Sequence, residues 1–256
     1  MPRKKIRPVQ HDDRLTIVEH LDELRTRLIV SVGTFLVAFG VCFWQNNAIL
    51  DLLNDPLDGK EPITFGVAEP FTVTLTVAAY GGIALALPVI LYQLYAFILP
   101  AFSPKERKVA TPLLLMVPFL FVAGVAFGYA VILPKAVDFL QEFNADQFAI
   151  EIRARDYYSF VMLSLVAIGI LFQIPVGVLA VTRLGIVTPA QLRKNRRYAI
   201  LGIAVVAMLL PGQDPVTMLI AMVPLIVLYE LSIVLAVAFG RPREDVGEEI
   251  APVEGS

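Results

Sequence analysis

Two carboxylates stand where a membrane chain ordinarily collects bases. Glu23 lies in HLDELRTRL, residues 20–28, and the uncharged run IVSVGTFLVAFGVCFW follows directly. Glu106 is the single acid of FSPKERKVATP, set among Lys105, Arg107 and Lys108. A carboxylate takes a guanidinium through paired charge-assisted hydrogen bonds, a geometry that suits arginine better than lysine. Each such bond contributes about 1.5–3 kcal/mol. Read jointly, the two acids make a shallow site for a cationic peptide. Each also has a plainer reading. Glu23 and Arg27 are spaced i, i+4, which suffices for a surface ion pair worth roughly a few tenths of a kcal/mol. Ser103-Pro104-Lys105-Glu106 reads as a capped helix start, with serine at the N-cap, proline at the first position and Glu106 at the third. Spacing alone does not choose between these readings.

Other polar residues interrupt apolar stretches: Gln173, Asp214 and Glu230. An acid inside a span costs at least about 2.5 kcal/mol on insertion scales, so Glu230 is either a hydrogen-bonded structural acid or a functional one. A secondary transporter would gather these three groups near a central cavity, with paired repeats and broken helices; the two halves show no clear similarity. Catalysis has little to work with. His11 and His20, the two histidines, both precede the first apolar run, and neither GxSxG nor HExxH occurs. No metal site or catalytic group is expected. The net charge of −2 argues against a nucleic-acid binder, and the single cysteine, Cys42, excludes an internal disulfide.

The elements that must hold these residues are apolar helices. The chain is 57% hydrophobic, above the usual range for soluble domains. Its apolar residues fall into six runs: Leu28–Trp44, a stretch between Glu69 and Lys105, Leu113–Leu133, Phe160–Val181, Ala199–Leu210 and Met218–Phe239. About 20 residues cross the hydrocarbon. The fifth run is short and stops at Pro211; runs of that length are often re-entrant or buried, but with the sixth it reads as a short helical hairpin in which both cross, the bilayer thinned or waters drawn in near the turn. Bases segregate into the segment before the first run and into the second and fourth loops, which places both termini in the cytoplasm. The spacing of Gly124 and Gly128 permits close helix approach. The expected organisation is a basic arm over 1–14, a six-span all-α membrane domain over 15–240 and a disordered tail over 241–256.

EHLDELRTRL, LYQLYAFILPAFSPKERKVATPLL, GYAVILPKAVDFL and FQIPVGVLAVTRLGIVTPAQLRKNRRYAILG resemble the TatC family, the six-span core of the twin-arginine protein translocase. The resemblance runs from about Val18 to Phe239. It implies helices in a curved, cupped wall and residence in the cytoplasmic membrane of a prokaryote. It implies a receptor for twin-arginine signal peptides on folded cargo, driven by the proton-motive force. It also implies an oligomeric complex with single-span partners of the TatA and TatB types, and neither catalytic chemistry nor a cofactor. The family's signal-binding positions fall on Glu23, Glu106 and Arg25. Pro56, Pro70, Phe71, Phe97, Tyr129 and Asp214 sit in matching motifs, and Glu230 stands where an acid is frequent. Gln173 departs from the glutamate many members carry in the fourth span. A polar role in docking a partner helix survives that change; a role needing ionisation does not.

Overall fold

The computed structural model describes residues 17–98, 104–148, 150–183, 185–210 and 215–239. The expected arm over 1–14, the expected tail over 241–256 and Asp214 lie outside the described residues. The described chain is helical almost throughout. Its helices run between two ends: the near end, where the first helix begins, and the far end opposite.

Helix α1 (Ile17–Trp44) runs from the near end to the far end. Short α2 (Asn46–Asn54) and a 3-10 turn over Asp55–Leu57 turn the chain there. Helix α3 (Glu69–Ile98) returns, and α4 (Pro104–Phe127) goes out again. A π turn over Gly128–Ile132 leads into α5 (Leu133–Glu142). The fourth apolar run is two helices, α6 (Ala154–Leu171) and α7 (Ile174–Arg183). At the near end, α8 (Pro189–Lys194) precedes α9 (Arg196–Met208), and α10 (Pro215–Phe239) ends the described chain.

Among the described residues, five helical stretches are long and apolar enough to cross a membrane: His20–Trp44, Glu69–Phe97, Met116–Glu142, Ala154–Arg183 and Pro215–Ala238. Helix α9 has 13 residues, about 20 Å at 1.5 Å per residue, which is short of the roughly 30 Å hydrocarbon. The protein is a multi-pass, all-helical membrane protein. Its outward faces agree: Leu28, Leu36, Val37, Phe119, Val223, Val227 and Val234 are exposed large apolar residues that lipid covers.

Local chemistry explains the irregularities. Pro175 has no N–H to give a carbonyl four residues back, and the helix there breaks at Phe172–Gln173, where Gln173 N–H turns to Ile170 O instead (2.9 Å). Pro134 similarly follows the π turn, in which Leu133 N–H reaches Gly128 O. Pro88 and Pro224 stay inside continuous helices. Hydroxyls within spans bond the preceding turn: Thr34 to Val30 O, Ser164 to Phe160 O and Ser232 to Leu228 O. That leaves no unpaired donor in the hydrocarbon at these positions.

Small residues set how closely the helices approach. A Cβ on Gly82 would lie 2.9 Å from the Cα of Phe39, and one on Gly81 would lie 3.0 Å from the buried Cys42 Sγ, so α3 approaches the α1 backbone at Gly82 and an α1 side chain at Gly81. Gly124 meets α6 as its spacing predicts: a Cβ there would lie 3.0 Å from Gly169 Cα. The main buried cluster, including Leu57, Val77, Leu133, Tyr157 and Val161, lies toward the far end. A second joins α9 and α10 through Ile203, Leu225 and Ile233. We expect Gly82→Ala to cost about 1–3 kcal/mol through overpacking, seen as a lowered thermal midpoint in detergent. Gly33→Ala in α1, where a Cβ meets nothing within 4 Å, should leave the midpoint unchanged.

Candidate functional site

At the near end, the first turns of α1 lean on the last turns of α3. Arg27 is the hub. Its Nε and Nη2 donate to Glu23 Oε1 at 3.1 and 2.5 Å, its Nη1 donates to Gln93 Oε1 at 2.9 Å, and Nη2 also reaches the Ala96 carbonyl at 3.4 Å. The i, i+4 pair read from the sequence is therefore present, but it is anchored across two helices rather than lying loose on a surface. The Glu23 side chain keeps 27% of its surface open, and its second oxygen, Oε2, sits 4.0 Å from His20 Nδ1. The His20 ring stacks on Phe97 with centroids 4.3 Å apart. The near end thus gathers Glu23, Arg27, His20 and Phe97 into one open patch of an acid, a base and an aromatic platform. Arg25 is exposed on the same turn of α1. Glu106 stands in the first turn of α4, which begins at Pro104 as the capping pattern predicts. Its side chain lies outside the described residues, as does the Ser103 cap.

The α8–α10 corner shares this end. Thr188 and Gln191 form a capping box at the start of α8, and Tyr229 OH donates to Leu192 O at 2.9 Å. Glu230, the acid of the sixth apolar run, accepts from Arg196 Nη2 at 2.6 Å, and both side chains are half exposed. The pair joins the start of α9 to α10. The sequence does not identify this partner, because Arg196 is one of several bases in its loop and only the fold selects it.

Gln173 sits mid-span at the α6–α7 break. The sequence suggests a side chain facing a groove; instead it is 6% exposed, because the break turns it toward α4, where Nε2 donates to Val117 O at 3.1 Å. Its Oε1 has no partner among the described residues.

The far end is built from different chemistry. Tyr129 OH donates to Leu52 O (2.8 Å) and Asp55 Oδ2 (3.2 Å), Tyr157 OH to Leu53 O (2.6 Å) and Tyr158 OH to Asn54 Oδ1 (2.8 Å). Three phenols from two spans thus hold one short segment. Pro56 and Tyr129 line the same open hollow with Asp58 and Asp138. Glu69, 6% exposed, holds the loop that leads into α3 by accepting from Phe65 N–H (2.9 Å) and Gly66 N–H (3.3 Å), and it takes Arg153 Nε at 2.9 Å. That hydrogen bond pushes the Arg153 guanidinium pKa up from its ordinary value. A parallel bridge between Ile63 and Arg153 adds backbone bonds. Pro70 and Phe71 follow Glu69 on the first turn of α3 and are exposed. In the sequence Glu69 reads as a loop acid and nothing more. Its signal is there all the same: it is the last acid before a long apolar run, with proline directly after it.

Comparison with known proteins places these features in a family. The family model described as Sec-independent protein translocase protein (TatC) matches residues 19–224. A relative from Deinococcus radiodurans, a Sec-independent protein translocase protein TatC, is 37% identical over 93% of this chain and 91% of its own length. TatCy of Bacillus subtilis is 36% identical over 91% of this chain and 92% of its own length. A crystal structure of the twin-arginine translocase receptor TatC in DDM superposes with a TM-score of 0.75 at 35% identity, covering 88% of this chain and all of that one. By matched length, identity and architecture alike, the chain belongs to the TatC family of Sec-independent protein translocase proteins.

Proposed function

We propose that this protein is the signal-peptide receptor of a twin-arginine translocase. It binds paired arginines at its near end and, with single-span TatA-type and TatB-type partners, exports folded proteins using the proton-motive force. The observation that carries this reading is the Glu23 carboxylate, open at one oxygen and held by Arg27 beside the Phe97 platform. The first turn of α4, which carries Glu106, begins on the same end, and this reading assigns the second guanidinium to that acid. The bases that flank these acids in sequence, Arg25, Lys105 and Arg107, limit unselective binding of other cations by repulsion. The rival transporter reading needs Gln173 and Glu230 on one cavity. Gln173 instead bonds α4, and Glu230 bonds Arg196 at the near end.

In this reading the near end is cytoplasmic, the protein sits in the cytoplasmic membrane of a prokaryote with six spans, and α9 crosses where the bilayer is thinned. Cysteines introduced at Asp58 and Asp146 should then label from outside, and those at Lys105 and Arg193 should not. Outside labelling at Arg193 would reverse the assignment.

Glu23→Gln and Glu106→Gln should each weaken binding of a twin-arginine peptide while protein abundance holds, because glutamine keeps size and loses charge. Glu106→Arg should weaken it further, since repulsion is added. Added salt should also weaken binding, though less than for a fully exposed pair. Parental affinity in both glutamine variants would remove these acids from the site.

The assignment of Gln173 as a docking point for a partner helix rests on its polar amide in mid-span: Oε1 is enclosed and has no donor among the described residues, so a partner helix that opened the contact with α4 would supply the missing donor. Interhelical hydrogen bonds in membranes average about 0.6 kcal/mol and reach about 1.7. Gln173→Leu should therefore weaken co-purification of a single-span partner about threefold, and at most about twentyfold, and leave signal-peptide affinity intact. Equal loss of both would assign the residue to holding the fold.

A further inference from the structure

The far-end loop that leads into α3 shows apolar surface that neither the core nor the near-end site uses. Phe65 is 72% exposed, Phe71 is 63% exposed and Val67 is fully exposed. Trp44, the last residue of α1, is 83% exposed. Large apolar residues gathered in this way mark a contact surface. Their depth follows from their neighbours. Asn46 Nδ2 donates to Thr74 Oγ1 at 3.4 Å, so the end of α1 stands beside the second turn of α3. Phe71 lies about 4.5 Å farther out, three residues at 1.5 Å each. Helix α3 has 30 residues, about 45 Å, which spans the hydrocarbon together with both headgroup layers. Its first turn therefore stands among headgroups.

Charge decides whether a loop can stay at that level. Residues 62–71 read PITFGVAEPF and carry one charged side chain, Glu69. That carboxylate is buried, takes Arg153 Nε at 2.9 Å and accepts from the Phe65 and Gly66 N–H groups. The charge is turned inward and paired, and the same bonds fix the backbone that presents Phe65 and Val67. The Arg153 guanidinium also lies 5.7 Å from the centre of the Phe65 ring. The other far-end loop is the contrast. Phe143 and Phe148 are exposed there too, but the acids Glu142, Asp146 and Glu151 are exposed among them, and unpaired carboxylates hold a segment in water.

We propose that residues 65–71 form a membrane anchor, with Phe65, Val67 and Phe71 seated in the far leaflet between headgroups and acyl chains and Trp44 just beneath them. The partner is the lipid surface, continuous with the lipid that covers the outward faces of the spans. Aromatic rings favour that layer. Arg153 directly precedes α6, so a loop held in the interface holds the entries of α3 and α6 at one depth.

Tryptophan fluorescence of the full chain, one copy per nanodisc, tests this with phosphatidylcholine brominated near either the headgroup end or the methyl end of its acyl chains. The parent's single tryptophan, Trp44, reports itself. Val67→Trp and Phe65→Trp, each combined with Trp44→Phe, report the loop, and all three positions are exposed, so little packing is lost. The loop reporters should lose about half their emission to bromines near the headgroup, less to deep ones, and resist aqueous iodide. Asp146→Trp with Trp44→Phe should show the reverse, open to iodide and insensitive to bromine. Iodide quenching of the loop reporters equal to that at position 146 overturns the proposal. So does protection from both quenchers, which would mean that protein covers the loop. Val67→Asp added to the Phe65→Trp reporter should shift its emission to longer wavelength and open it to iodide. Unchanged bromine quenching in that variant would show that the apolar residues do not hold the loop, and the anchor falls.

Discussion

Hydrocarbon offers no hydrogen-bond partner, so a polar atom inside a span must find one in the protein. Most of the structure follows from that requirement. The span hydroxyls of Thr34, Ser164 and Ser232 turn back on their own helices. The helix breaks at Phe172–Gln173, where Gln173 supplies both a backbone bond to Ile170 O and a side-chain bond across to Val117 O. Charges at the helix ends find partners on other elements: Glu69 with Arg153, Glu230 with Arg196, and Arg27 with Gln93 as well as Glu23. Ion pairs here act as stitches between helices.

The two ends answer the requirement differently. The far end is tied by neutral phenols and by a buried carboxylate that holds a loop backbone and accepts a guanidinium in one place. Its loops pack into the main buried cluster through Leu53 and Leu57. The near end is more open, and its acid and base stay within reach of water. Loops that carry recognition are expected to be the less buried ones on a rigid scaffold, and the contrast between the ends fits that division of labour.

Much of this was legible in the sequence, because the signals were local. Apolar runs located the long helices, Pro104 marked the start of α4, and Gly124 marked a close approach that α6 fills. The weak length of the fifth run reappears as the 13 residues of α9. What stayed hidden was pairing across the fold. Glu230 could be recognised as a costly acid, but not matched to Arg196, which lies 34 positions earlier. Arg27 could be matched to Glu23 at four positions, but not to Gln93 at 66. Gln173 was recognisable as a polar group in mid-span, yet its burial follows from the direction of a helix break that no periodicity encodes.

The α1–α3 seam carries one practical corollary. The chain's single thiol, Cys42, is sealed at 2% exposure against Gly81, so the unmodified protein is already a silent background for sulfhydryl reagents. A maleimide or spin label added to a single-cysteine variant would report the introduced position without prior removal of the native one. Removing it would in fact be the riskier course, because the sulfur fills the crossing point of two helices, where a bulkier atom group has no room and a smaller one leaves a void.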